Sequence, residues 1–286
     1  MNDFSRDLVD LMTVRPEGEG VFVGDTEPYG VPGRLFGGHF VAQALDAAFA
    51  TIPEHKLAHS LHAYFHRTGD SSAPVRYVVD VLRDGRSFSA RRVTATQAGE
   101  VVFSLSASFK ARDADEFFQV PMPDVPDAET LAAEHAAAGR PEPSGPPTAG
   151  GRVRLVPASN AFKPREMLEA GEERSVHFRN WLRVLREGAL TDRQAQLLIA
   201  FLSDGPLPFC SAVRHGDPFG THQHLSLDHG VWFHRIGDPQ GWMLFDATSV
   251  ATADGRGLND GRLFSSGGEL IASIRQESLL RRLRDD

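Results

Sequence analysis

The amino-acid sequence predicts an α+β fold in which two tandem antiparallel sheets each wrap a long helix. The first observation behind this prediction is the segment 34–52, where the Gly37-Gly38 pair opens a run of apolar residues at helical spacing. A helix that is apolar nearly all round has to be buried. The second observation is a series of four strand-like segments after it, which a curved sheet would need. The third is a weak internal repeat.

The elements of the first half follow in order. Residues 1–14 are predicted to form a short helix, residues 21–24 a strand, and Pro53 ends the glycine-led helix. Turn signals, each containing a glycine, separate the later strands. The four predicted strands are Leu57–Phe65, Val75–Leu82, Ser87–Thr96 and Val101–Lys110. These elements make up a first unit at residues 1–112.

A change in composition marks the middle of the chain. Residues 113–157 are rich in Pro, Ala, Gly and acidic residues, and within them 127–138 could form a small helix. We therefore predict a semi-rigid linker that crosses the surface at 113–157. The remaining residues, 158–286, would form the second unit.

The repeat consists of short matches that keep their order along the chain. The matched groups are Gly85-Arg86 and Arg92 with Gly255-Arg256 and Arg262 (shift 255 − 85 = 170), Gly99-Glu100 and Ser104 with Gly268-Glu269 and Ser273 (shift 268 − 99 = 169), and Ser60-Leu61-His62 and Phe65-His66-Arg67 with Ser226-Leu227-Asp228 and Phe233-His234-Arg235. Thr191, a candidate N-cap, precedes an apolar helix at 192–204 in the second half. Duplication explains this near-constant shift better than chance does.

Composition and charge exclude several classes of protein. The formal net charge of −8 argues against nucleic-acid binding, which needs a basic face. No apolar run approaches the roughly 20 residues of a membrane span, and the N-terminus is acidic where a signal peptide is basic. The single cysteine, Cys210, excludes an internal disulfide. We therefore expect no membrane association and a cytoplasmic protein.

Six motifs, quoted in chain order, carry a resemblance that covers nearly the whole chain outside the linker. They are RLFGGHFVAQAL, HSLHAYFHRTGD, LRDGRSFSARRV, SLSASF, SLDHGVWFHR and SIRQESLLR. Together they resemble the acyl-CoA thioesterase II family, whose members are double hotdog proteins that hydrolyse fatty acyl-CoA thioesters. The resemblance implies the same double hotdog fold and the same hydrolysis here, without a metal or organic cofactor.

The resemblance also implies the catalytic residues. The family uses an Asp, a Ser or Thr, and a Gln to hold and activate a water molecule, and the matching residues are Asp204, Ser226 and Gln276. A carboxylate can accept the proton of water, while a hydroxyl and an amide can fix its direction of attack. Under the shift of 169, Gln276 corresponds to Ala107, so we place the chemistry in the second half.

Further residues are candidates for binding substrate. Backbone N–H groups at Gly37 and Gly38, at a helix N-terminus, are predicted to bind the thioester oxygen. His39 stands where the family more often has Gln, and with His59 it is predicted to contact substrate. A fatty chain would run in an apolar tunnel beside the helix. Arg86, Arg91 and Arg92, within a cluster that also contains Arg83, Lys110 and Arg112, are candidates for binding the CoA nucleotide.

Alternatives remain open at this point. Histidines could supply a general base, although sheet histidines are more often satisfied by local hydrogen bonds; the residues concerned are His59, His62, Asp228 and His229. The segment 222–224 could ligate a metal, but a solvated loop is the stronger interpretation. Rival functions are a hotdog hydratase or dehydratase and a non-catalytic acyl-CoA sensor. Because sheet edges usually pair, we expect a homodimer or a larger homo-oligomer.

Overall fold

The computed structural model describes residues 6–29, 31–113, 116–139, 146–158, 177–213, 215 and 221–283. The helices are α1 (Leu8–Met12), α2 (Gly37–Phe49), α3 (Ala128–Ala137), α4 (Asp192–Ser203) and α5 (Leu207–Val213). The strands are β1 (Arg15–Gly18), β2 (Val21–Gly24), β3 (Lys56–Phe65), β4 (Val75–Asp84), β5 (Phe88–Gln97), β6 (Glu100–Ala111), β7 (Val153–Pro157), β8 (His177–Val184), β9 (His222–Ser226), β10 (Asp228–Phe233), β11 (Met243–Ala253), β12 (Arg256–Ser265) and β13 (Leu270–Arg282).

One antiparallel sheet runs through both halves of the described chain. Its strand order is β1-β2-β4-β5-β6-β3-β10-β13-β12-β11-β8-β7, with β9 paired to β13. The order on one side of the β3–β10 pair mirrors the order on the other, so β3, β6, β5 and β4 correspond to β10, β13, β12 and β11. This mirrored order confirms the predicted tandem α+β plan.

The two long helices lie against each other inside the curve of the sheet. Gly38, at the start of α2, is so close to the Phe201 carbonyl near the end of α4 that a Cβ atom would overlap that oxygen. At the opposite end, the Arg193 side chain of α4 reaches the Phe49 carbonyl of α2. The helices are therefore antiparallel. As predicted, α2 is buried nearly all round.

Two histidine–serine pairs confirm the duplication and correct its register. His66 bonds Ser104 at 2.9 Å and His234 bonds Ser273 at 2.9 Å, which gives shifts of 168 (234 − 66) and 169 (273 − 104). Ser273 lies opposite Arg262, whereas Ser104 lies opposite Thr94. The match of Arg262 with Arg92 is therefore wrong by two residues, because the turns between the strands differ in length.

The first predicted helix is shorter than expected. Its described part is α1, where Asp7 serves as the N-cap and accepts from the Val9 N–H. Residues 1–5 of that prediction lie outside the described residues. Residues 15–18 form β1, an edge strand that the sequence analysis did not predict.

Much of the predicted linker packs on the second half. The small helix α3 lies close to its predicted position, with Asp127 as N-cap. Its residues Ala128 and Ala132 join a second apolar cluster with Trp181 and Phe264. The end of the segment forms β7, which pairs with β8. The prediction of a surface connector as far as 157 is therefore wrong for these parts.

Two further predictions about the second half can be compared with the structure. Thr191 caps α4 as predicted, in a capping box with Gln194. The prediction of a solvated loop at 222–224 is wrong, because these residues pair with the end of β13. The segment Asp192–Val213 is long and apolar enough to cross a membrane, but 94% of its most apolar window is buried in the fold, as in a core helix.

Candidate active site

Four elements from the two halves meet at the candidate site. Asp204 is the C-cap of α4, Ser226 ends β9, and Gln276 lies in β13. The N-terminus of α2 brings Gly37 and Gly38 from the first half. The second half thus supplies the polar side chains, and the first half supplies the backbone beside them.

The structure brings the three predicted catalytic residues into direct contact. The Ser226 hydroxyl donates to Asp204 Oδ1 at 3.0 Å. The Gln276 amide Nε2 donates to Ser226 Oγ at 2.7 Å. Asp204 and Gln276 are buried, and Ser226 is partly buried. A carboxylate, a hydroxyl and an amide in this arrangement can hold a water molecule and take its proton.

Burial sets the proton affinity of the carboxyl group. Desolvation raises the pKa of Asp204 to about 7, and hydrogen bonds from Ser226, Gln276 and the Gly38 N–H oppose that rise. A carboxyl group with a pKa near 7 is ionised in a large fraction of molecules at neutral pH and still binds a proton readily. These are the properties of a general base that works near pH 7.

The two glycines of α2 each make room for a different contact. At Gly37 a Cβ atom would overlap the Asp204 carboxylate and would come 2.9 Å from the Phe65 ring. At Gly38 it would overlap the Phe201 carbonyl, as described above. Glycine at both positions therefore lets the helix N-terminus approach the carboxylate directly.

A cavity of about 160 Å³ opens beside Asp204 and Ser226. Apolar side chains provide most of its wall, and the residues that line it include Val31, Leu35, Phe36, Pro208, Phe209 and Leu225. Tyr29 and His224 also line it. A small, largely apolar cavity with a carboxylate at its wall is typical of an active site.

Behind Gln276, the buried His229 and Ser203 extend the hydrogen-bonded chain. His229 Nδ1 lies 2.8 Å from Gln276 Oε1, and its Nε2 lies 2.7 Å from Ser203 Oγ. Sequence reasoning considered His229 as a general base, but it does not line the cavity. Ser203 was not predicted, and only its position before Asp204 could have indicated it.

His39 follows Gly38 in α2 but does not line the cavity. Its Nδ1 is 2.9 Å from the Tyr29 hydroxyl, and its Nε2 is 3.1 Å from the Asp25 carbonyl. Burial lowers the pKa of His39 to about 4, so its ring is neutral at pH 7. His39 therefore holds the Tyr29 hydroxyl, and Tyr29 lines the cavity. The predicted contact between His39 and substrate lacks structural support.

The other histidines considered as bases lie elsewhere. His59 bonds Ser108 at 2.8 Å and lines a separate cavity of about 420 Å³, so its predicted contact with substrate beside Gly37 lacks structural support. His62 is exposed and packs edge-on against Trp232. Asp228 accepts the Glu277 backbone N–H at 2.6 Å.

The arginine candidates have different surroundings. Arg86 lies exposed in the turn after β4, and the exposed Arg92 pairs with Asp80. Arg91 is 1% exposed, and its guanidinium donates to Thr51 and to the Asp84 carboxylate. The geometry therefore does not support a contact between Arg91 and a nucleotide, because its donors are used within the fold.

The described residues contain no group of three or more His, Cys, Asp or Glu side chains placed to hold a metal ion. His224, which sequence reasoning considered as a metal ligand, packs its ring against Phe209 with 4.6 Å between ring centroids. It lines the cavity beside Ser226. We therefore interpret His224 as part of the cavity wall.

Comparison with known proteins identifies the family. Two family models match: the acyl-CoA thioesterase N-terminal domain over residues 26–110 and the acyl-CoA thioesterase C-terminal domain over residues 124–280. Acyl-CoA thioesterase 2 of Haemophilus influenzae is 33% identical, across 98% of this chain and 99% of that protein. The chain belongs to the acyl-CoA thioesterase family. The second family model begins within the predicted linker, in agreement with the packing of α3.

Solved structures agree with this assignment. An acyl-CoA thioesterase II, TesB2, from Mycobacterium marinum has a TM-score of 0.79 and 30% identity, with 96% of this chain and 98% of that chain covered. A protein of unknown function with a hot dog fold from Alicyclobacillus acidocaldarius has a TM-score of 0.75 at 21% identity, with the same coverage. The second likeness shows the fold alone, and the fold is the predicted double hotdog.

Proposed function

We propose that this acyl-CoA thioesterase hydrolyses fatty acyl-CoA to the free acid and coenzyme A, using a water molecule activated by Asp204. The observation that carries the proposal is the contact of Asp204 with Ser226, and of Ser226 with Gln276, at the wall of a cavity. The Asp204 carboxylate takes a proton from water while the water oxygen bonds to the thioester carbonyl carbon. The carbon–sulfur bond then breaks, and coenzyme A leaves as the thiolate.

The N-terminus of α2 completes the proposed site. The first N–H groups of a helix have no partner within the helix and carry partial positive charge. The Gly38 N–H is directed to Asp204 in this structure. In our proposal the Gly37 N–H therefore binds the oxyanion that forms on the thioester oxygen. The cavity wall receives the acyl group, and Arg86 and Arg92 remain candidates for the nucleotide.

The test is a single turnover in ¹⁸O-labelled water with enzyme in excess over acyl-CoA. Direct attack by water places ¹⁸O in the fatty acid during that turnover. If the Asp204 carboxylate attacked instead and water cleaved the resulting anhydride at the Asp204 carbonyl, the first acid released would be unlabelled and the ¹⁸O would be in Asp204. Release of free thiol together with labelled acid supports the proposal. Addition of water to an enoyl chain without thiol release would favour a hydratase and overturn it.

We also propose that the protein forms a homo-oligomer and is located in the cytoplasm. The described sheet ends in β1 on one side and β7 on the other, and exposed edges tend to pair with another chain. We therefore propose a homodimer or larger homo-oligomer, which light scattering of the purified protein tests. A cytoplasmic location remains part of the proposal, supported by the single buried cysteine, and localisation of a tagged chain tests it.

A further inference from the structure

The side chains behind the catalytic trio form a chain of hydrogen bonds whose direction can be worked out from chemistry. An ionised carboxylate only accepts hydrogen bonds, so Ser226 must donate to Asp204. Because the Ser226 hydroxyl donates its only hydrogen to Asp204, its other partner, Gln276, must donate to it through the amide NH₂ group. The Gln276 carbonyl oxygen then faces His229, which must donate in turn.

A neutral His229 ring carries one N–H hydrogen, and the hydrogen bonds on either side of the ring indicate which nitrogen holds it. Burial lowers the pKa of His229 to about 4, so the ring is neutral at pH 7. Donation to Gln276 places the hydrogen on Nδ1, and Nε2 is then an acceptor. In this tautomer any hydrogen between Nε2 and Ser203 Oγ, which lie 2.7 Å apart, comes from the Ser203 hydroxyl. The Ala200 carbonyl, 2.8 Å from the same Oγ, competes for that hydrogen.

We infer that His229 is a positioning residue, whose Nδ1–H holds the Gln276 amide with its nitrogen toward Ser226. In this tautomer Nε2 has no hydrogen and can accept one from Ser203. If the amide turned over, its oxygen would face Ser226 and compete with Asp204 for the hydroxyl hydrogen. The water-binding trio would then lose its alignment. This inference rests on the proposed function.

Two substitutions of His229 separate donation from packing. His229→Phe keeps a ring of similar shape and removes both nitrogens, whereas His229→Asn keeps an amide donor near the position of Nδ1. We expect His229→Phe to lower kcat by roughly 10- to 100-fold, with KM within about twofold because His229 does not line the cavity. His229→Asn should restore most of that loss. An equal kcat in wild type and His229→Phe would overturn the inference.

The matched control is His66→Phe in the first half, where an exposed histidine bonds Ser104, which is not a member of this chain of hydrogen bonds. Its kcat and KM should equal those of the wild type. If His66→Phe loses as much kcat as His229→Phe, the loss reflects general disturbance of the sheet. That result would also overturn the inference.

A spectroscopic measurement tests the tautomer directly and does not need a folded His229 variant. In protein labelled with ¹⁵N-histidine, the His229 ring should show the Nδ1–H pattern, with its signals distinguished from the other eleven histidines through their contacts with Gln276. Ser203→Ala removes the donor to Nε2 and should add the Nε2–H form, with a several-fold loss of kcat. An Nε2–H ring in the wild type would contradict the inference.

The outcomes distinguish this inference from the proposed function. If the wild type releases no thiol from any acyl-CoA, the proposed function fails. If thiol is released and Gln276→Ala is fully active, the assignment of the catalytic residues fails. If both of these stand and His229→Phe keeps its kcat, only the positioning role of His229 fails.

Discussion

The two halves of the molecule have the same architecture, and they differ at the positions that form the proposed active site. In the second half Ser226 lies opposite Ser278, and in the first half Ala58 lies opposite Phe109. Ser226 therefore corresponds to Ala58, with a shift of 168 (226 − 58), and Ser278 to Phe109, with a shift of 169 (278 − 109). The further correspondences, second half first, are Gln276 with Ala107, His229 with Leu61, and the helix C-cap Asp204 with the helix C-cap Ala50. Each of these four polar side chains thus has an apolar counterpart in the first half.

The helix N-termini differ as well. Where α2 begins with Gly37 and Gly38, α4 begins with Asp192 and Arg193. The Arg193 guanidinium donates to the Phe49 carbonyl at 2.9 Å and to the Pro53 carbonyl at 2.6 Å. At the N-terminus of α4 the Arg193 side chain thus occupies the position that Gly37 and Gly38 leave without a side chain at the N-terminus of α2. The comparison teaches that, of two equivalent positions, one carries the polar side chains of the proposed site and the other is part of the core.

The largest expected effect is that of removing the base. Asp204→Asn keeps the size of the side chain and cannot accept a proton, so we expect kcat to fall by about 10³-fold. Asp192→Asn, an exposed acid at the other end of the same helix, is the matched control and should keep wild-type kcat. Thiol release from acyl-CoA measures both. Full activity of Asp204→Asn would place the base elsewhere.

Removing either partner of the base should have a smaller effect. Ser226→Ala and Gln276→Ala each leave the carboxylate in place but lose one group that orients the water, so we expect kcat to fall roughly 10- to 100-fold. Ser104→Ala, on β6 of the first half, should have no effect. If Ser104→Ala is as defective as Ser226→Ala, the contrast between the halves is wrong.

The pH dependence follows from the pKa of Asp204. The base acts when ionised and its pKa is about 7, so kcat/KM should rise with pH and level off above that value. Below it, the rate should fall about tenfold per pH unit. Gln276→Ala removes a hydrogen bond that favours the carboxylate, so its profile should shift to higher pH. A flat profile between pH 5 and 8 would exclude Asp204 as the base.

The same carboxyl group should reduce stability at high pH. Its pKa is 3.8 in the unfolded chain and about 7 in the folded protein, so between these values the folded state holds a proton that the unfolded state has lost. Stability from this group therefore falls as pH rises through that window. We expect Asp204→Asn to melt several degrees above the wild type at pH 8 and close to it at pH 4. Equal melting temperatures at pH 8 would contradict burial of the charge.

The smallest effect on activity is expected at the other end of the helices. Arg193→Ala removes hydrogen bonds to backbone carbonyls of the α2 end, and we expect a loss of about 1–3 kcal/mol in the free energy of unfolding. Because Arg193 lies away from the cavity, kcat should stay within about twofold of the wild type. Denaturant unfolding and thiol release give the two quantities. A large loss of kcat would show that this end takes part in catalysis.

Local sequence signals predicted the elements of this fold well. Apolar periodicity and the Thr191 cap located α4, and the turn signals located the strands of the first half to within one or two residues. The register of the repeat was predicted less well, because each hairpin sets its own loop length. The packing of α3 and β7 on the second half was missed, since a Pro- and Ala-rich composition says little about tertiary contacts.

Prediction of the site depended on which atoms meet across the fold. Resemblance identified Asp204, Ser226 and Gln276, and the structure joins them by hydrogen bonds. Strand alternation sets Arg91 and Arg92 on opposite faces of β5, but the residues themselves do not show which of the two is buried and which is exposed. His229 was considered as a general base because imidazole can accept a proton, but only the structure shows that it contacts Gln276.

The pairing of β3 with β10, with Gly230 opposite His62, has a consequence for the integrity of the enzyme. Because the carboxylate comes from one half and the helix N-terminus beside it from the other, the proposed active site spans a seam held by main-chain hydrogen bonds. A cut in the chain between the halves would leave this seam in place. We therefore expect separately produced halves to be inactive alone and to regain thioester hydrolysis when mixed, which makes activity a direct reporter of their association.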